Sequence, residues 1–457
     1  MFVFPQDTET PDLDDSVPKE EKTEEKTVVR GLIATAETLM SNGIILAYNL
    51  AFSNLVGNAG WATPTAEDIK ENFYLPWQWE INDGFMVNQI GHPIQGSMSF
   101  ITGRVNSFGF YESTFFSLLG SSTWESICEG DHASINDLIT TVTGSTTIGE
   151  VLYRMYLEAC AAGIPVPLAA LINPMAGFHR LVTGWEPPNN GRNIYFLQYR
   201  LGMGFAQTRY SLLNLSEKMF SFDGLFSNVG IYIIYGNPFE QNSSTPFEQF
   251  ELAISFGLDL GNYIDICLIT DGYLFSFSPV YTDTDRMSTG LSLNMDFVSL
   301  GKFDMYYSTI NQFSNALDWT IKYQHLFPRD IVFQIKLHAG LTFMGASKYY
   351  SPEWGKEVNN YGGGLNSKLF LALENKKLGK LETNLFCYAL WPFPGTSALT
   401  QGNIFWLFAE FTYSHFITKY ISLGVSDSFA LERGTFSGFP NVRKYNNAIN
   451  LYVALNF

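Results

Sequence analysis

The feature that most constrains this chain is a strict two-residue alternation that recurs from about Ile194 to Phe457. Phe250, Leu252, Ile254, Phe256, Leu258 and Leu260 alternate with Glu251, Ala253, Ser255, Gly257 and Asp259. The closing segment repeats the pattern, with Ile449, Leu451, Val453, Leu455 and Phe457 set against Asn450, Tyr452, Ala454 and Asn456. Successive side chains of a strand point to opposite faces, so each segment has one apolar face and one small or polar face. Many such segments with no helical period between them describe a sheet that is wet on one side and apolar on the other. Closed on itself with the apolar side outward, that sheet is a transmembrane barrel.

Strand candidates begin near Ile194, Val229, Phe247, Tyr263, Met287, Lys302, Asn315, Asp330, Tyr361, Leu378, Gly402, Tyr420 and Lys444. Bacterial single-chain barrels have even strand numbers, so about 12 strands are expected, with 10 to 14 open. Longer breaks are expected at 237–246, 280–286, 345–358 and 392–401. On the strand near Asp330, Ile331, Phe333, Ile335, Leu337 and Ala339 are expected to face lipid. Gln334, Lys336 and His338 then face the lumen.

Composition agrees. Only 16 % of the 457 residues are charged, against about 25 % in soluble domains. No run of about 20 strongly apolar residues occurs, which argues against a bundle of membrane helices. The net charge of −17 is uneven: residues 1–190 hold 8 Lys+Arg against 23 Asp+Glu, and the remainder 19 against 21. An acidic chain without a basic patch is a poor nucleic-acid binder. The four cysteines, Cys128, Cys160, Cys267 and Cys387, lie far apart and lack metal-site spacing. They read as isolated packed thiols in preference to a Cys128–Cys160 pair. The histidines are equally scattered, so neither a metal nor a cofactor is expected.

Three segments are expected: an acidic disordered leader at 1–27, a helical region with its connection at 28–190, and the barrel at 191–457. Met1–Gln6 looks like the end of an apolar signal-peptide core without its positive n-region. Ser134-Ile135-Asn136-Asp137 reads as a capping-box variant. The helix it opens carries a polar stripe at helical period: Asn136, Thr140, Thr143, Thr147, Glu150 and Arg154. The stripe lies against a partner helix or a water-filled space, and Glu150 and Arg154 are spaced for an i,i+4 ion pair.

Trp77, Trp79, Asp83, Phe85, Asn88, Gly91, His92, Pro93 and Gly96 follow the order W-x-W-x-x-x-D-x-F-x-x-N-x-x-G-H-P-x-x-G. With Arg104, Glu112, Trp124-Glu125, Ser134 to Asp137, Glu150, Arg154, Asn173-Pro174 and Arg180, this resembles an uncharacterised bacterial family, a domain of unknown function of diderm envelopes. The resemblance covers roughly residues 74–184 and implies no activity. Phe457 at the end of an alternating strand resembles the C-terminal signature of outer-membrane barrels, which implies the barrel-assembly machinery and membrane lipid as partners.

These readings make the chain an α+β membrane protein of the outer membrane of a diderm bacterium, with a helical subdomain that plugs or caps the barrel. Its role is structural in the envelope or the passage of a small solute. The alternative is a lipid-modifying enzyme whose candidate catalytic groups are His92, Glu112, Glu125 and Asp137, since buried carboxylates beside a histidine acquire shifted pKa values. No nucleophile elbow, phosphate loop or HExxH accompanies them.

Overall fold

The computed structural model describes residues 21–52, 63–79, 84–188, 191–212, 219–239, 242–258, 263–302, 310–351, 356–393, 396, 402–438 and 440–457. Twelve antiparallel strands form a closed up-and-down barrel: β1 (Ile194–Leu212), β2 (Met219–Tyr235), β3 (Phe250–Leu258), β4 (Tyr263–Tyr281), β5 (Asp285–Lys302), β6 (Ile310–Phe327), β7 (Ile331–Ser351), β8 (Lys356–Asn375), β9 (Gly379–Pro392), β10 (Gly402–Phe416), β11 (Ile421–Phe436) and β12 (Val442–Asn456). β1 and β12 close the seam from Gln198 opposite Asn456 to Leu212 opposite Val442. Phe457 finishes it, donating its N–H to the Leu197 carbonyl at 2.8 Å while its ring sits near Tyr199 and Tyr420.

The strands depart from expectation in three ways. β2 starts at Met219, ten residues before the expected start near Val229. Lys302 ends β5 and opens nothing, which removes the thirteenth candidate. The expected break at 345–358 is mostly strand, because β7 runs to Ser351 and β8 starts at Lys356. The start of β1, the end of β12 and the short connections after β6, β8 and β10 share one end of the barrel, here the terminal end.

Contacts between non-adjacent strands fix which face is the lumen. Lys336 of β7 reaches Glu251 of β3 at 2.6 Å and Asp271 of β4 at 2.9 Å. His338 approaches Asp271 at 3.3 Å. These two residues therefore point inward as expected, and Leu337 and Ala339, between and beyond them, point out. Leu201, Met203 and Phe205 of β1 and Ile449, Leu451 and Val453 of β12 form part of the exposed outer band.

The helical part comprises α1 (Glu21–Phe52), α2 (Ala66–Tyr74), α3 (His92–Val105), α4 (Phe110–Thr123), α5 (Ile135–Ala161), α6 (Val166–Ile172) and α7 (Pro174–Thr183), with π-helical turns at Val87–Gly91 and Trp124–Cys128. α1 starts at Glu21 instead of 28. Glu and Lys are good helix formers, and glutamates near a helix N-terminus are favoured by its dipole. Of the leader expected at 1–27, residues 21–27 belong to α1, and residues 1–20, like Asp83, lie outside the described residues. Thr65 caps α2 in a box with Asp68, and Asn173 caps α7 through the Ala176 N–H at 3.0 Å. Among the described residues no helix is long and apolar enough to cross a membrane.

The helices neither plug nor cap the barrel. They lie against its outer wall. Phe85 and Ile148 pack onto Met295, Phe297, Phe313, Met344, Ala346 and Tyr361. On their strands these residues alternate with the lumen-facing Asn294, Asp296, Ser314 and Ser347, so they face outward. Nearer the terminal end, Val151 and Tyr156 of α5 join a second cluster with Ile233, Tyr235, Phe250 and Leu252. α5 thus runs obliquely across the outside of β2 to β8. Gly144 makes this approach possible: a Cβ there would meet Pro93 at 2.8 Å and Met295 Sδ at 3.4 Å. Small residues at such contacts let backbones close up where no water drives association.

Candidate functional site

Polar and ionisable side chains gather in two places, the lumen and a buried cluster in the helical domain. The lumen is filled in its far half. Val298, Leu300, Ile310, Phe386, Tyr388, Trp406 and Ala430 form one buried layer, and Tyr210, Tyr349, Leu390, Ile404 and Val442 form another. Below them, charged groups pair across the barrel. Lys322 meets Glu251 at 2.9 Å, Lys368 pairs with Asp296, and Tyr388 donates to Asp296 at 2.5 Å. Asn294 and Asn366 both donate to Asp318, at 2.6 and 2.8 Å. Isolated buried charge is costly, so this pairing is what allows so many ionisable groups inside a low-dielectric shell.

Toward the terminal end the lumen widens into a cavity of about 1150 Å³. Its wall mixes both signs of charge with aromatic surface: Arg200, Lys336, Glu382, Glu410, Phe370 and Phe408. Arg200 lies 3.8 Å from Glu382, which also takes Lys380 at 2.7 Å. Sequence reading places Lys336 and His338 in the lumen and Glu251 on the wet face of its strand, but does not pair them and does not single out Asp271. The signal was present, since each partner is a polar residue at an inward position of an alternating strand.

The second site gathers residues far apart in sequence. One ligand-type atom from each of His92, Glu125 and Asp137 lies within 4.8 Å of the other two, and all three residues are buried. Glu112 is elsewhere: it caps α4, accepting from the Gly109 N–H at 2.5 Å. Local structure explains the convergence. His92 opens α3 directly after one π-helical turn, Glu125 lies within the other, and Asp137 sits in the first turn of α5. Ser134 caps α5 through the Asp137 N–H at 3.2 Å. The return bond of a full capping box is replaced, because the Ser134 N–H donates to Glu125 Oε2 at 2.9 Å. Asn136 Nδ2 donates to Asp137 Oδ1 at 3.0 Å.

The polar stripe of α5 is divided among several partners. Thr143 Oγ1 accepts from Asn315 Nδ2 of the outer wall at 2.6 Å. Glu150 pairs with Arg154 at 2.8 Å and also, at 2.8 Å, with Arg104 of α3. Arg154 donates to the Pro246 carbonyl at 2.7 Å, tying α5 to the connection between β2 and β3. Asn136, Thr140 and Thr147 are fully buried. The motif residues flank the same interfaces. Asn88 donates to the Tyr361 hydroxyl at 3.3 Å. Trp79 stacks on Phe393 with ring centroids 5.3 Å apart, and Trp77 is half-buried. Gly91 ends the π turn, Pro93 packs against Gly144, and a Cβ on Gly96 would meet Thr141 Cγ2 at 2.5 Å. All four cysteines are free thiols.

With this architecture the molecule is a transmembrane β-barrel carrying a helical domain on its outer wall. Residues 76–173 of that domain match the family model for a domain of unknown function, DUF3943. No curated protein matches the chain. Similar solved structures include the COG4313 outer membrane channel from Pseudomonas putida F1, at 12 % identity over 58 % of this chain and 96 % of that one, with a TM-score of 0.33. The translocator domain of the autotransporter NalP from Neisseria meningitidis shows 12 % identity over 64 % and 98 %, with a TM-score of 0.26. The NanC porin shows 8 % identity over 55 % and 98 %, with a TM-score of 0.27.

Proposed function

We propose that the protein is an outer-membrane barrel that admits a small solute to a vestibule at its periplasmic end, with onward passage controlled by a partition of its own side chains. The observation that carries this reading is the cavity of about 1150 Å³ beneath the buried layer around Phe386, Tyr388 and Trp406. Barrels of this kind have their short turns in the periplasm, and the cavity is at the end with the short turns. Its balanced charges and aromatic surface suit a neutral or zwitterionic solute better than an ion of one sign. The helical domain sits beside the barrel within the membrane region. Leu32, Tyr111, Leu171 and Leu181 leave its outer surface strongly apolar.

Planar-bilayer recording tests the partition. The wild-type protein should conduct little, and Trp406→Ala combined with Phe386→Ala should produce frequent, larger openings. An unchanged, near-zero conductance in a variant that still shows heat-modifiable migration would count against a passage role, as would a wide, steady pore in the wild type.

A further inference from the structure

We infer that His92, Glu125 and Asp137 form a binding site for one divalent transition-metal ion. The geometry is the first support. Three ligand atoms within 4.8 Å of one another need only small side-chain rotations to share an ion, since zinc holds imidazole nitrogen and carboxylate oxygen at about 2.0–2.2 Å. They come from three separate elements, so chain proximity does not account for their meeting.

Two of the three stand at π-helical turns. Such a turn inserts a residue into a helix at the cost of its regular hydrogen bonds, and it recurs where a side chain must be re-aimed for function. Val87–Gly91 does this directly before His92, and Trp124–Cys128 contains Glu125. Each carboxylate is also held by a hydrogen bond from behind, Glu125 by the Ser134 N–H and Asp137 by Asn136. Outer contacts of this kind orient metal ligands and raise their affinity.

Further buried polar atoms lie one helical turn along the chain from two of the three residues. Both polar atoms of the fully buried Gln89 side chain, one turn before His92, lack a protein partner among the described residues. The same holds for the Thr140 hydroxyl, one turn after Asp137. Buried polar atoms of this kind are ordinarily satisfied by ordered water, which a bound ion would also recruit. The donor set selects the ion. One imidazole and two carboxylates, without thiolate, suit manganese, iron(II) or zinc. Calcium takes 6–8 oxygens, more than these residues supply. Two carboxylates also balance a dipositive ion, so the site can load without leaving net charge in an apolar domain.

The test uses the full-length protein in detergent, stripped with a chelator and resupplied with manganese(II), zinc(II) or, without air, iron(II). Elemental analysis should find about one ion per chain for at least one metal, with a raised Tm. His92→Ala and Glu125→Gln should each weaken binding at least tenfold, while Glu112→Gln should leave it unchanged. Manganese-loaded wild type should show a nitrogen coupling from a directly bound histidine in pulsed EPR, a readout that does not depend on the variants folding. Failure to retain any of the three ions would overturn the site. So would binding unaffected by His92→Ala and Glu125→Gln, or bound manganese without a histidine nitrogen.

Discussion

Replacing Glu150 with Gln should destabilise the helical domain by roughly 3–5 kcal/mol, the cost of breaking a buried ion pair and leaving its partner uncompensated. The Glu150 carboxylate is fully buried, with Arg104 and Arg154 side chains only 16 % and 10 % exposed around it. From the i,i+4 spacing alone, one expects changing both Glu150 and Arg154 to apolar residues to recover much of the loss. The structure changes that expectation, because Arg104 would remain beside the vacated site, held by the Phe108 carbonyl at 2.9 Å and the Tyr153 ring at 4.7 Å. Changing Glu150 and Arg154 to Met should therefore recover only part of the stability. Adding Arg104→Met should recover more. Thermal melts of the four proteins in detergent measure this directly, and equal stability of wild type and Glu150→Gln would remove the triad from the account.

The second large effect belongs to the outer wall. Phe313 is fully buried although it projects from the outward face of β6. Phe313→Ala should cost about 3–5 kcal/mol, as for other buried phenylalanines, and should loosen the helical domain so that a protease cuts it at lower concentration. Phe411 on β10 also projects outward but is 58 % exposed, and Phe411→Ala should cost well under half as much. Similar losses at the two positions would mean that the outer wall is uniformly lipid-covered.

The barrel was legible because alternation is a local property. Inward Lys336 and outward Leu337 could be assigned from neighbours alone, and the band on β12 could be read to its last residue. The helical docking was not legible for the same reason. Alternation shows that Phe297, Phe313 and Met344 leave the outer face, but helix and lipid are equally apolar covers. Asn315 was the available hint, a polar residue at an outward position that makes sense only beneath a protein partner such as Thr143. The polar stripe is read from sequence as facing a partner helix or a water-filled space, and the stripe is real. Its partners are Arg104, the outer wall and a backbone carbonyl, whereas the lumen is occupied by groups such as Lys322, Lys368 and Trp406.

The buried cluster was half legible. His92, Glu125 and Asp137 stood out as polar residues among apolar helices, and Glu112 stood out equally. Nothing in the spacing separated the three that converge from the one that caps α4. The π-helical turns that re-aim His92 and Glu125 leave no mark in hydrophobic periodicity. Tertiary packing of α3 on α5 makes the selection.

The central claim, a helical domain docked outside the barrel, is tested most directly by thiol crosslinking in the membrane-inserted protein. With Cys128, Cys160, Cys267 and Cys387 replaced by Ala, Thr143→Cys is paired either with Asn315→Cys on the outer wall or with Lys322→Cys in the lumen. Thr143 and Asn315 are in hydrogen-bond contact at 2.6 Å, so a short thiol-to-thiol crosslinker should join the first pair rapidly and leave the second unjoined. Crosslinking to position 322 without crosslinking to position 315 would return the helices to the lumen and contradict the account.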